Sequence, residues 1–244
     1  MTNLPIDVEK IINSKVAEKL YDDGVSDTAK EISKVGVDIS KTARLLLAPL
    51  QLTAAFQDRV EIMIDRIRNK VPEERRIEAP AELVGPTLEK MKFLEEDSLL
   101  WEMFEEILTR SIDNEAIKSI HPSYSHIISQ LSRDEALILY KLTEQDFKVV
   151  DTMDLNVKEN RFENLQIEES QIPTNELFMP EKVHFYHSHL ESLNLVHWPI
   201  EKQDSIVDEN NKQTGVRRYS KIHLTEFGRL FVSACVPSSG FRNI

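Results

Sequence analysis

With 244 residues the chain is long enough to bury a sizeable core and to hold one or two domains. Its formal net charge is -12, with the acidic excess between residues 71 and 180 and near-balanced ends. Such a surface repels phosphate backbones and disfavours general affinity for nucleic acid. A single cysteine, Cys235, excludes an intramolecular disulfide and a cysteine-rich zinc module.

In chain order, Val8, Ile11, Ile12, Val16 and Leu20 recur at helical spacing and predict a helix over 5–21, ended at Asp22-Asp23-Gly24. Ser26 caps a second helix over 27–47, which Pro49 breaks. The most apolar run, 43–56, contains Arg44, Pro49 and Gln51. It is shorter than the roughly 20 apolar residues a bilayer span takes. A stable span is therefore not expected, with a surface-lying amphipathic helix as the alternative. A third helix over 51–70 carries Leu52, Phe56, Val60, Met63, Ile64 and Ile67 on one stripe, and Arg66, Arg68 and Lys70 complement its negative end. Pro72, Pro80 and Pro86 make 71–86 an extended strap, after which Pro86 opens a short helix through Leu94.

The stretch 99–142 organises the chain. Leu100, Met103, Phe104, Ile107, Leu108 and Ser111 form the apolar stripe of an acidic helix, capped by Asp97 or Ser98, with Trp101, Glu102, Glu105 and Glu106 on its flanks and back. His121-Pro122 breaks the chain, which restarts as a helix over 123–131. Ser132 and Glu135 then have the spacing of a capping box, and Ala136, Leu137, Leu139, Tyr140 and Leu142 supply the next apolar face.

After Leu142 the period falls to two. Residues 147–157 read as a strand, Lys158-Glu159-Asn160 as a turn, and Phe162, Leu165 and Ile167 as a returning strand. Pro173 and Pro180 bracket a loop, and 181–195 reads as a helix with Val183, Tyr186, Leu190 and Leu193 inward. Residues 196–200 and 216–224 form a hairpin, and a last helix starts at Thr225. The capped helix, the helix ending in "LESLNLV", the hairpin and "LTEFGRLF" together resemble a winged-helix module. Its middle helix is displaced by an acidic insertion at about 144–180, a departure from the standard DNA-reading geometry. The expected fold is mainly α with a small β component. An α-helical domain over 1–118 would precede a winged-helix-like domain over 119–244 that carries an inserted β-hairpin.

Three segments carry a further resemblance: "RRIEAPAELVGPTLEKM", "LWEMFEEILTRSID" and "HPSYSHIISQLSRDEALILYKL". Through them the chain resembles the Abi-alpha (abortive infection alpha) family of bacterial proteins over about 46–236. The motifs are helix stripes and caps. The resemblance implies a role in defence against bacteriophage and no particular reaction.

Arg217, Arg218 and Lys221, with Tyr219 among them, suit a wing touching a phosphate backbone, although the preceding helix lacks a base-reading face. Leu46, Leu47, Leu50 and Phe56, and the acids Glu102, Glu105 and Glu106, are candidates for contact with a second copy or a basic partner. The ordinary fate of such acids is a solvated face. His184, His187 and His189 are the nearest approach to a metal cluster, but His189 points about 200° from His187 around a helix, so three ligands do not converge. His121 and His126 lack a partner base or nucleophile motif, and no phosphate loop, nucleophile elbow or zinc-protease signature is present. No metal or cofactor is expected. The reading is a non-enzymatic interaction protein that binds another protein or itself, cytoplasmic because no charged-then-apolar leader opens the sequence. The alternatives are a nucleic-acid-binding regulator acting through the wing and a membrane-acting effector using the helix around 45–56.

Overall fold

The computed structural model describes residues 54–242. Within them, α1 (Ala54–Lys70) buries Phe56, Val60, Met63 and Ile67, the stripe expected from spacing. A short strap follows, and α2 (Ala81–Met91) begins earlier than its prolines suggest, with Pro86 inside it. An interior proline costs about 3 kcal/mol. Burial of Leu83, Val84, Leu88 and Met91 offsets that, at about 1.5–3 kcal/mol for each large side chain.

The central helix, α3 (Leu99–Ser111), starts at Ser98, whose hydroxyl accepts the Trp101 amide at 3.2 Å. It packs against α1, α2, α4 (Ser123–Ile128), α5 (Arg133–Glu144) and α7 (Glu226–Cys235). Surrounded in this way, it buries Trp101, Glu102 and Glu105 as well as its apolar stripe. The capping box at α5 is formed in both directions. Ser132 accepts the Glu135 amide at 3.3 Å, and Glu135 accepts the Ser132 amide at 2.6 Å. After α7 the tail returns to the helices. Gly240 turns with φ 80, Phe241 packs edge-on to Tyr140, and Arg242 reaches Glu102.

The sheet corrects the expected fold class. The molecule is not mainly α with a winged-helix module. Five antiparallel strands form one sheet: β1 (Phe147–Asn156), β2 (Arg161–Ser170), β3 (Val196–His197), β4 (Ile200–Val207) and β5 (Gln213–Leu224). The order is β2-β1-β5, with β3 and β4 both along the far side of β5. The expected inserted hairpin exists, turning through Asn160 at φ 48, but it is not a separate appendage. β1 zips along β5 from Phe147↔Ile222 to Asp154↔Gly215.

The physical reason is that an isolated two-stranded hairpin is marginal in water, whereas joining two of them removes one exposed edge from each. Gly215 permits the close approach, since a Cβ there would stand 2.6 Å from the Met153 carbonyl oxygen. Phe147, Val149, Ile222 and Leu224 root the sheet in the common core. Burial fades along β1 toward the exposed Val157, so the far end of the sheet stands in solvent. Between the hairpins, α6 (Val183–Ser192) packs Tyr186 and Leu190 inward. Among the described residues no helix is long and apolar enough to cross a membrane.

Candidate interaction surface

The wing cations all lie on β5, and the inserted hairpin neutralises them. Arg218 donates through Nε to Asp151 Oδ1 at 2.6 Å, directly across the β1–β5 register. Arg217 binds both carboxylate oxygens of Glu168, at 2.9 Å each. Lys221 pairs with Asp146 at 2.7 Å, and that bond holds its ammonium above the usual lysine range. The Tyr219 ring lies under Lys202 Nζ at 5.1 Å. A phosphate backbone would have to displace a carboxylate already in place at each of these three cations.

The insertion also creates the outer strand of the sheet. Among the described residues β2 pairs only with β1, and every residue of it except the half-buried Glu163 is exposed. Phe162 is 37%, Leu165 45% and Ile167 46% exposed, large apolar side chains that an ordinary surface strand would replace with polar ones. Phe162 sits opposite Leu155 and Ile167 opposite Asp151, on the face that β1 turns toward the core further along. Glu163, Gln166 and Glu169 oppose Asp154, Thr152 and Val150 on the other face. Two register shifts mark bulges in β2. One leaves Glu168 unpaired in the ladder, where its carboxylate reaches Arg217. The other lies by Asn164, at φ 56. The sequence shows Phe162, Leu165 and Ile167 only as strand formers. Their spacing could have flagged an apolar row, but not that the row stays exposed.

Of the other candidates, Leu46, Leu47 and Leu50 lie outside the described residues. Phe56 is buried edge-on to Trp101, with ring centroids 6.4 Å apart. Glu102 and Glu105 are engaged inside the chain. Glu105 accepts Arg66 at 3.0 Å and Lys70 at 3.1 Å, and Glu102 meets Arg242 at 3.1 Å. Burial pushes the Glu105 carboxyl up, but its bonds to Arg66 and Lys70 outweigh this and hold it below the usual carboxylate range. Glu106 is half-buried beside Arg110 at 3.0 Å. Glu102 and Glu105 knit α1, α3 and the tail together rather than forming a solvated face.

His184 and His187, three apart on α6, both pack against Trp198, whereas His189 points away from them, as helical spacing requires. The His184 ring stacks on Trp198, with centroids 5.8 Å apart. His189 Nδ1 meets Glu135 Oε1 at 2.6 Å. His187 is buried with neither ring nitrogen hydrogen-bonded, and burial pushes its pKa down to about 4. His121 caps α4 through Ser123. His126, on α4, is exposed. Among the described residues no three histidine, cysteine or carboxylate side chains are grouped to hold a metal ion. An open cleft of about 490 Å³ runs between β3 and the start of α7, lined by His197, His223, Glu191 and Glu226.

The fold and this surface define a helical core carrying an antiparallel sheet whose outermost strand presents an apolar row to solvent. Residues 53–235 match the family described as abortive infection alpha, and the chain belongs to that family. Membership associates it with abortive infection, a defence against bacteriophage. Comparison with curated proteins and with solved structures gives no match.

Proposed function

We propose that the chain is a non-enzymatic interaction protein that serves phage defence by contacting another protein through the outer strand of its sheet. The observation that carries this reading is the exposed row Phe162, Leu165 and Ile167 on one face of β2. Contiguous exposed apolar side chains mark interaction sites in folded proteins, because leaving them in water is costly unless a partner covers them. The pairing of Arg217, Arg218 and Lys221 with carboxylates favours a protein over a nucleic acid as that partner.

The test is protection of bacterial cells against phage by the full chain and by the double variant Leu165→Thr, Ile167→Thr, which keeps strand propensity and adds no charge opposite Asp151. Both positions are exposed, so the variant should keep the parent's melting temperature while protection is lost. Undiminished protection by a folded variant would remove the sheet as the contact surface.

A further inference from the structure

We infer that the outer edge of β2 receives an extended segment of a partner protein, one that alternates apolar and basic residues, as an added antiparallel or parallel strand. The inference rests on the interaction reading above and names the chemistry of the partner. Among the described residues β2 pairs through its backbone with β1 on one side only, and its side chains stay exposed. Such an edge is a template for strand addition unless something covers it. The side chains set the complement. Cross-strand neighbours share a face. An added strand therefore meets Phe162, Leu165 and Ile167 on one face and Glu163, Gln166 and Glu169 on the other. Apolar residues satisfy the first face and lysine or arginine the second.

A second copy of this acidic chain is the competing occupant. Two of its antiparallel or parallel registers bring Glu163 against Glu169 or each acid against itself, and like charges directly opposite destabilise a strand pair. The register that sets Phe162 against Ile167 escapes this, but the net charge of -12 still sets two copies in mutual repulsion, whereas a basic segment is attracted. Self-association of the full chain in sedimentation, lost when Leu165 and Ile167 are replaced, would make the second copy the occupant and overturn the inference. The opposite edge of the sheet is a poorer template. In β4 the middle positions are Lys202, Gln203, Asp204 and Ser205, with apolar residues only toward the ends. The bulges of β2 twist its edge, which discourages indiscriminate pairing and reserves it for a strand that matches both faces.

The experiment uses the full chain and a fluorescent peptide of alternating lysine and valine, about as long as β2, at physiological salt. Two further peptides carry N-methyl groups on every second residue, one in each frame, preserving charge and apolarity while blocking backbone pairing on one side. The parent peptide should bind. One methylated frame should bind about tenfold or more weakly, since it forfeits several backbone hydrogen bonds. The variant Glu163→Lys, Glu169→Lys should weaken the parent peptide by a similar factor. Equal binding of both methylated frames would show charge adsorption alone and overturn the inference, as would no binding or indifference to charge reversal. If the peptide fails while Leu165→Thr, Ile167→Thr abolishes protection, the contact surface stands and strand addition falls. If that variant still protects, the interaction reading falls and this inference with it.

Discussion

Asp151 and Arg218 face each other across the middle of the sheet, with 6% and 23% of their side chains exposed and 2.6 Å between Oδ1 and Nε. The acid comes from the inserted hairpin and the base from the strand that would otherwise be a wing. Removing the acid leaves a half-buried guanidinium uncompensated. Asp151→Ala should therefore cost about 2 kcal/mol in urea denaturation, below the range for a fully buried pair because Arg218 retains some solvent. Adding Arg218→Leu should recover much of the loss, since an apolar pair needs no partner charge. An Asp151→Ala chain as stable as the parent would mean the two hairpins are held by backbone pairing alone.

Glu105 gathers three cations, Arg66 and Lys70 of α1 and Arg242 of the tail, on one carboxylate. Its folded pKa is lowered, so the stability it contributes is present above the ordinary carboxylate range and is lost as the pH falls through the lowered value. Glu105→Gln should destabilise by about 3 kcal/mol at neutral pH, the scale of a buried pair with one partner removed. Its urea midpoint should also fall less than the parent's on acidification. A variant melting within a degree of the parent would show that α1 and the tail dock by apolar packing only.

His187 gives an opposite kind of titration, that of a base buried neutral. Its pKa is about 4 in the folded chain against an ordinary 6.5, so the unfolded state takes the proton first. Stability is intact above about pH 6.5, falls as the pH drops toward 4, and levels below that, a loss of about 3 kcal/mol from this group. Replacing it with phenylalanine, also able to pack against Trp198, should remove that share of the acid sensitivity. The check is the difference between parent and His187→Phe stability at pH 7 and at pH 4.5. If it does not change with pH, His187 does not titrate as its burial requires.

Gly228 lies in the first turn of α7, where a Cβ would run into the Leu195 carbonyl oxygen. Its amide donates to the capping Thr225 Oγ1 at 2.8 Å, and the Thr225 amide donates to the Leu195 carbonyl at 3.0 Å, so the helix start is seated directly on the turn after α6. Gly228→Ala should lose about 3 kcal/mol, an overpacking cost against backbone that cannot move aside. A variant with an unchanged thermal midpoint would place α7 further from that turn than the structure has it.

Local periodicity and caps were enough to find α1, α3, α5, the Ser132–Glu135 capping box, the turn at Lys158-Glu159-Asn160 and the family resemblance. Each is set by residues three or four apart, or by the alternation of a strand with itself. Other features were not legible because they depend on partners far along the chain. Glu102 and Glu105 look like a solvated acidic face until Arg66 and Arg242 arrive from opposite ends of the described residues. Arg217, Arg218 and Lys221 look like a free basic strand until β1 and β2 bring in Asp151, Glu168 and Asp146.

Among the described residues, spacing and caps are enough to place α1, α3, α5, α6 and α7, the strands β1, β2 and β5, and the family, whereas β4 falls in a stretch that reads as a polar loop. The joining of two hairpins into one sheet, the neutralising of its cations and the exposure of Phe162, Leu165 and Ile167 come from contacts between distant segments. Strand pairing and charge pairing are long-range choices among many edges and many acids, and spacing within a segment carries no information about which one is met.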